Sequence, residues 1–108
     1  MEILEYLDAN GGSPYRNWFD ALDTAAAAKV TVAITRMRLG NLSNTKGVGS
    51  GVQEYRIDFG PGYRIYFGRD GETLVILLAG GTKKRQRADI ETAQVRWVDY
   101  KKRKKGAG

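Results

Sequence analysis

The residues of this sequence best suited to chemistry are cations that lie at the ends of predicted strands. Arg56 and Arg64 flank the turn Gly60–Gly62, and the basic run Lys83–Arg85 follows the last predicted strand. Because the turn joins antiparallel strands, these cations can converge on one concave face of a sheet. Guanidinium groups match phosphate oxygens bidentately, and several cations together can stabilise the extra charge of a phosphoryl transition state. The pattern indicates a site for a phosphate-bearing substrate.

A structural interpretation of the same arginines stays open. Glu54, Arg56 and Asp58 share one predicted strand face, so the two carboxylates can pair with Arg56 and Arg64 in a cross-strand charge ladder. A metal site between Glu54 and Asp58 is conceivable, but the arginine between them favours an ion pair. Spacing alone does not decide between the charge ladder and the phosphate site.

Two missing residue types restrict the chemistry further. The 108 residues include no histidine and no cysteine. Their absence excludes histidine-dependent triads, cysteine nucleophiles and thiolate metal sites, so proton transfer would use Lys, Glu or Tyr. Gly47–Gly51 superficially resembles a phosphate-binding loop, but it precedes a strand instead of a helix. Without a nucleotide-binding motif or a metal-ligand cluster, we expect no cofactor and no metal.

The positive charge is concentrated in the last quarter of the chain. Residues 83–108 contain ten Lys/Arg and three acidic residues, a net charge of +7, whereas residues 1–82 carry −1. Such a directed field suits a polyanionic partner, although Lys101–Lys105 could equally be a solubilising tail. No segment has the length and apolar character of a membrane span or a secretory signal, and the lack of cysteine fits the cytoplasm.

The first half of the chain predicts a strand and a helical hairpin. Glu2–Leu7 alternates as a short strand. Residues 13–40 have helical periodicity, which Ser13-Pro14 starts and Gly40-Asn41 ends. Trp18 follows that periodicity, so we expect it to pack in the core instead of binding a ligand.

The second half predicts a loop, a three-strand meander and a helix. Residues 42–51 lack periodicity, and a helix runs to about Lys102. The strands occupy 52–59, 63–69 and 73–79. Alternation separates Glu54 and Arg56 from Tyr55 and Ile57 on the first strand, and Arg64 and Tyr66 from Ile65 and Phe67 on the second. We predict an α+β fold with a small, mostly antiparallel sheet, in the order β-α-α-β-β-β-α. One domain covers residues 1–103, and a basic disordered tail covers 104–108.

Two segments of the sequence resemble a known protein family. The first is Glu54–Tyr66, with the run G-P-G-Y-R-I-Y, and the second is Leu77–Lys83, with the run L-L-A-G-G-T-K. Lys46–Val52 and Gln86–Ile90 fit the same pattern. Together they resemble the RelE/ParE superfamily of bacterial toxins, in its HigB-like branch of phage-derived or addiction-module killer proteins. The resemblance covers essentially the whole chain, and the fold of that family agrees with the predicted order of elements.

This resemblance implies the toxin of a type II toxin–antitoxin system. Such toxins enter the ribosomal A site and cut mRNA by attack of a ribose 2′-OH on the adjacent phosphate, a reaction that needs no metal. Carried over by position, Arg64 would grip the scissile phosphate, Arg56 would support it, and Lys83 would act at the end of the last strand. Other RNA contacts would come from Lys46, Lys84, Arg85 and Arg87. Because the histidine used by some relatives is absent, the proton-transfer candidates are Glu54, Tyr66 and Lys83.

The resemblance also implies partners and leaves alternatives. The partners would be mRNA, the ribosome and a cognate antitoxin, commonly a helix-turn-helix protein from an adjacent gene. ParE-type toxins of the same fold block DNA gyrase without chemistry, so a non-catalytic gyrase inhibitor is one alternative. A simple basic RNA-binding module, with most of its affinity from Lys101–Lys105, is another. Replacing Arg64 with alanine should abolish activity in the nuclease and have little effect in the simple module.

Overall fold

A computed structural model describes residues 1–107 of the chain as five strands, three α-helices and a short 3₁₀ turn. The strands are β1 (Glu2–Glu5), β2 (Thr45–Gly47), β3 (Val52–Ile57), β4 (Tyr63–Asp70) and β5 (Leu74–Thr82). The helices are α1 (Pro14–Asp20), α2 (Thr24–Arg38) and α3 (Gln86–Ala107), and the 3₁₀ turn is Lys83–Arg85.

The strands form one sheet in the order β1-β5-β4-β3-β2. β1 pairs with β5 in parallel, and the other neighbouring pairs are antiparallel. β4 and β5 therefore lie inside the sheet, which explains why β5 is apolar on both faces. The predicted α+β class, with a mostly antiparallel sheet, a helical hairpin and a C-terminal helix, is confirmed.

Both N-terminal helices begin at residues that satisfy free backbone groups. The side chains of Ser13 and Asp23 cap α1 and α2, each accepting a hydrogen bond from an amide in the first turn. Pro14 occupies the first position of α1, as predicted. After α2, Gly40 has a φ of +88°, a left-handed conformation that ends the helix and that glycine adopts without strain.

Helices cover both faces of the sheet, so the core has two parts. Tyr55, Ile57, Ile65 and Phe67 pack in one buried cluster with residues of α1 and α2, whereas Tyr66 packs in the other with residues of α3. The predicted alternation on β3 and β4 is therefore confirmed. Trp18 packs against the first cluster, in agreement with its predicted structural role.

Several strand bounds and two further segments differ from the sequence prediction. β5 runs to Thr82 instead of ending at residue 79, and β1 and β3 each end two residues earlier than predicted. The predicted loop at 42–51 contains the three-residue strand β2, which is too short to show periodicity in the sequence. α3 continues to Ala107, past its predicted end at about Lys102, and Gly108 lies outside the described residues. The division into a domain at 1–103 and a disordered tail at 104–108 stays a prediction.

The last turns of α3 are held by contacts within the helix and to residues outside it. Arg103 pairs with Asp99 at 2.6 Å and also donates a hydrogen bond to the Leu7 carbonyl. Lys104 Nζ donates to Oδ1 of Asp70 at 2.6 Å. These contacts explain why a strongly basic segment continues as helix. Within residues 1–107, no helix combines the length and apolar character that crossing a membrane requires.

Candidate functional site

A cleft of about 480 Å³ opens where β3 ends, β4 begins and the 3₁₀ turn leaves β5. Arg56 and Arg64 face each other as direct register partners on β3 and β4. The Lys83 amide donates a hydrogen bond to the Gly62 carbonyl at 2.7 Å, which fastens the start of the 3₁₀ turn to the β3–β4 turn. The lining residues are Ser43, Asn44, Thr45, Arg56, Asp58, Gly62, Arg64 and Lys83.

Gly62 lies beside two of the cations. Its φ of +78° favours glycine, and a Cβ placed there would lie 3.4 Å from the Cβ of Lys83 and 3.5 Å from Nη1 of Arg64. The Lys83 stem and the Arg64 guanidinium therefore both lie within van der Waals distance of the same backbone position. The structure thus brings Arg56, Arg64 and Lys83, the three predicted catalytic cations, to one cleft.

Arg64 is buried and held by fixed partners. Its side chain is only 10% exposed, and its Nε lies 3.4 Å from Oε1 of Glu54, which is fully buried. Nη1 donates a hydrogen bond to the Tyr63 carbonyl at 3.2 Å. Nε makes no hydrogen bond within the described residues, so the ion pair with Glu54 and the hydrogen bond from Nη1 restrict the plane of the guanidinium without fully fixing it. The guanidinium of Arg64 is therefore restricted before any substrate arrives.

The predicted charge ladder exists only in part. Glu54 pairs with Arg64, but Arg56 is exposed and forms no ion pair within residues 1–107. Asp58 is also exposed and is the one acidic residue that lines the cleft. One arginine is thus held by a carboxylate, while the other keeps its charge open to solvent.

Glu54 and Tyr66, the two predicted proton-transfer residues of the sheet interior, are fully buried and do not line the cleft. Burial raises the pKa of the Tyr66 phenol, and the nearby carboxylates of Glu54 and Asp89 raise it further. The phenol oxygen has no hydrogen-bond partner in the described part of the chain. A role for either side chain in proton transfer stays a prediction.

The first turns of α3 supply two polar residues that the sequence analysis did not assign. Gln86 Nε2 donates a hydrogen bond to Oε2 of Glu54 at 2.7 Å. Asp89 lies directly over Gly81, where an added Cβ would be only 1.9 Å from Oδ2, and burial raises the pKa of this carboxyl. Gly80-Gly81 at the end of β5 was the available signal, since paired glycines in a strand indicate a close approach of another element.

The four residues predicted as additional RNA contacts occupy other surfaces. Lys46 is exposed on β2, in register with Glu54. Lys84, Arg85 and Arg87 line a second, shallow groove beside the start of α3. Lys83 lines the cleft and begins the 3₁₀ turn that also contains Lys84 and Arg85, so it connects the cleft with that groove. The structure therefore separates a compact set of cleft cations from a flanking basic surface.

The described residues were compared with the side-chain arrangements that bind metal ions. Within the described residues, no group of three or more His, Cys, Asp or Glu side chains is arranged to hold one. The cleft has one carboxylate against three cations. Its charge suits an anion, and its arginines suit the tetrahedral geometry of a phosphate.

Comparison with known proteins assigns the chain to a family. Residues 17–98 match the family described as "Phage derived protein Gp49-like (DUF891)". A protein of Haemophilus influenzae, described as an uncharacterized protein, is 40% identical over 82 residues, which cover 75% of this chain and 83% of the relative. The match extends from α1 into α3 and includes the cleft residues. The chain therefore belongs to the Gp49-like phage-derived family, a family of RelE/HigB-like toxins.

Proposed function

We propose that this protein is a type II toxin that cuts mRNA on the ribosome. The observation that carries the proposal is the convergence of Arg56, Arg64 and Lys83 on one cleft. The reaction is attack of a ribose 2′-oxygen on the adjacent phosphorus while the bond to the 5′-oxygen breaks. It produces a 2′,3′-cyclic phosphate and a 5′-hydroxyl, and it requires one proton to leave and one to be delivered.

The cleft cations would stabilise the charge that develops on phosphorus. Arg64 is buried and already restricted in orientation, so its attraction to the phosphoryl oxygens is weakly screened and needs little reorganisation. Arg56 and Lys83 are exposed and can close on the phosphate from the adjacent strand and the 3₁₀ turn. Most of the rate enhancement would then come from positioning and electrostatics.

Residues at the same cleft could also move the protons. We assign to the Lys83 ammonium the delivery of a proton to the leaving 5′-oxygen, because Lys83 lines the cleft whereas Glu54 and Tyr66 do not. Asp58 is the acidic residue of the cleft lining and is exposed, so we assign to it the proton of the 2′-hydroxyl. In this proposal both proton-transfer groups, Lys83 and Asp58, line the cleft in which the substrate binds.

Primer extension on messages from a translating extract tests the proposal. The protein should generate new 5′ ends within translated messages, and Arg64→Ala should abolish them. Arg69→Ala is the matched control, because Arg69 is an exposed arginine on the same strand that lines a different groove. Intact messages during translational or growth arrest would refute the proposal. Inhibited supercoiling by purified gyrase would then favour the ParE-type alternative.

The same proposal includes a partner. We expect a cognate antitoxin, a helix-turn-helix protein, to neutralise the toxin in the cytoplasm by covering the cationic cleft or by preventing entry into the ribosome. An acidic antitoxin segment would complement the charge of the cleft. Co-expression with the protein encoded by the adjacent gene should restore growth, and failure to co-purify with it would argue against this partner.

A further inference from the structure

Gln86, the first residue of α3, reaches back to the sheet beside the cleft. Its Nε2 donates a 2.7 Å hydrogen bond to Oε2 of Glu54, which is 32 positions earlier in the sequence. Gln86 is itself half-buried and does not line the cleft. The contact therefore joins α3 to β3 without offering a group to the substrate.

Glu54 depends on this contact because it is fully buried. A buried carboxylate is costly unless both of its oxygens have partners. Gln86 donates to Oε2, whereas Oε1 accepts no hydrogen bond in the described residues and has only the Nε of Arg64, 3.4 Å away, as an ion-pair partner. The terminal torsion of a glutamate side chain is broad, so the hydrogen bond from Gln86 determines which oxygen faces Arg64.

The same contact restricts the guanidinium of Arg64. Nε faces Glu54 in an ion pair without a hydrogen bond, and Nη1 donates to the Tyr63 carbonyl, so two of the three nitrogens lie against protein groups. Nη2 has no hydrogen-bond or ion-pair partner in residues 1–107, and Arg64 lines the cleft. The arrangement restricts the guanidinium plane and leaves one nitrogen for a ligand.

We propose that Gln86 is a positioning residue for Arg64 and acts through the buried carboxylate of Glu54. The proposal rests on the proposed function, since it assigns Arg64 to the scissile phosphate. It adds that the geometry of the cleft depends on how the first turn of α3 is seated. Removing the amide of Gln86 should loosen Arg64 while leaving Arg56 and Lys83 in place.

The direct test measures the motion of Arg64 in the full-length protein. The Nε–Hε order parameter of ¹⁵N-labelled Arg64 should indicate a rigid group in the wild type and fall below about 0.6 in Gln86→Met, which keeps the length of the side chain but removes its donor. Gln94→Met is the matched control. Gln94 is another glutamine of α3, and its amide donates to the Val48 carbonyl at 3.0 Å. This control should leave the order parameter of Arg64 unchanged.

A kinetic test separates positioning from simple stabilisation. Gln86→Met should lower kcat for mRNA cleavage about tenfold, with KM within about twofold, because a misplaced group weakens the transition state more than the ground state. Gln94→Met should lose comparable thermal stability without this loss in kcat. If both variants lose Tm and neither changes kcat or the order parameter, Gln86 is only structural and the proposal is overturned.

The double variant Glu54→Gln/Gln86→Glu provides an independent test of the proposal. This test can be used even if Gln86→Met folds poorly. It restores the hydrogen bond with donor and acceptor exchanged, and an amide oxygen at position 54 still faces the Nε of Arg64. The order parameter and kcat should therefore recover at least in part relative to Gln86→Met, and recovery of thermal stability without recovery of either would overturn the proposal. If the wild-type protein does not cut mRNA, the proposed function fails, whereas the order parameters still decide whether Gln86 holds Arg64.

Discussion

Arg64 and Arg56 are the same residue type on neighbouring strands, yet burial gives them different roles. Arg64 has exchanged its hydration for a carboxylate and a carbonyl, whereas Arg56 remains exposed. A buried, oriented cation acts on a phosphate through a low local dielectric, while an exposed one is screened by water and salt. We therefore expect Arg64 to account for most of the transition-state stabilisation and Arg56 for less.

Arg64→Lys tests whether geometry matters beyond charge. A lysine keeps the positive charge but has a single nitrogen, so it cannot contact Glu54, the Tyr63 carbonyl and a phosphate in the fixed geometry of a guanidinium. We expect the cleavage rate to fall about 100-fold, as for the loss of one preorganised donor. The single-turnover rate on translated mRNA measures this, with Arg69→Lys as the control. A near-wild-type rate for Arg64→Lys would show that charge alone is sufficient.

The phenols of buried Tyr15 and half-buried Tyr100 make the stability of the fold depend on pH. Burial raises the pKa of Tyr15 to about 12, and burial together with the hydrogen bond to Asp70 raises that of Tyr100 to about 12. Both values lie above the ordinary value of 10.0, so folding favours the neutral phenols. This contribution is fully present below pH 10 and is lost as the pH rises towards 12.

Urea denaturation at several pH values between 9 and 12 measures that loss. The free energy of unfolding of the wild type should decrease across this range, and the decrease should be smaller in Tyr100→Phe because one of the shifted groups is gone. Tyrosinate absorbance identifies the ionisation. An identical pH dependence in the two proteins would contradict the assignment of Tyr100.

The packing of α3 on the sheet depends on a strand glycine. A Cβ at Gly68 would lie 2.5 Å from Cε3 of Trp97, a buried residue of α3. Gly68→Ala must therefore displace the indole or the helix, and we expect it to lower the free energy of unfolding by about 1–3 kcal/mol. Gly47→Ala is the control, because nothing lies within 4 Å of a Cβ at that strand position. Equal losses in the two variants would exclude the close approach of Trp97 as the cause.

The elements differ in how far their sequence patterns predict them. β3 and β4 alternate clearly because each has one face against α1 and α2 and the other towards α3, so the pattern also places Arg56 and Arg64 side by side. β2 is a three-residue edge strand whose pairing depends on β3, and its own sequence carries no period. The start of α3 is hidden in a run of cations, which have no apolar periodicity to mark a helix.

The internal contacts of the candidate site lie beyond sequence patterns for a similar reason. Spacing shows that Arg64 can meet Glu54 or a phosphate, but it does not show that Arg64 pairs with the buried Glu54 and also lines the cleft. The hydrogen bond from Gln86 to Glu54 joins residues 32 positions apart on different elements. Local periodicity contains no information about such a contact, because it arises only when the helix packs on the sheet.

At the scale of the whole molecule, α3 carries basic residues away from the cleft on a fixed support. The helix has 22 residues, which correspond to about 33 Å at 1.5 Å per residue, and the longest dimension of the molecule is 41 Å. Lys101, Lys102 and Lys105 are exposed near its end, while Lys104 is paired with Asp70. A helical support makes these charges a defined surface for a polyanion.

Replacing Lys101, Lys102 and Lys105 with glutamine tests whether that surface binds ribosomal RNA. Each phosphate contact that is lost should lower the slope of log K against log salt by about 0.7–0.9, because fewer counterions are released on binding. The charge-matched control replaces three exposed cations of α2, namely Lys29, Arg36 and Arg38. Ribosome binding across a salt series should give a reduced slope only for the α3 variant, with cleavage of bound mRNA unchanged. Equal reductions in both variants would mean that net charge, and not the position of α3, sets the affinity.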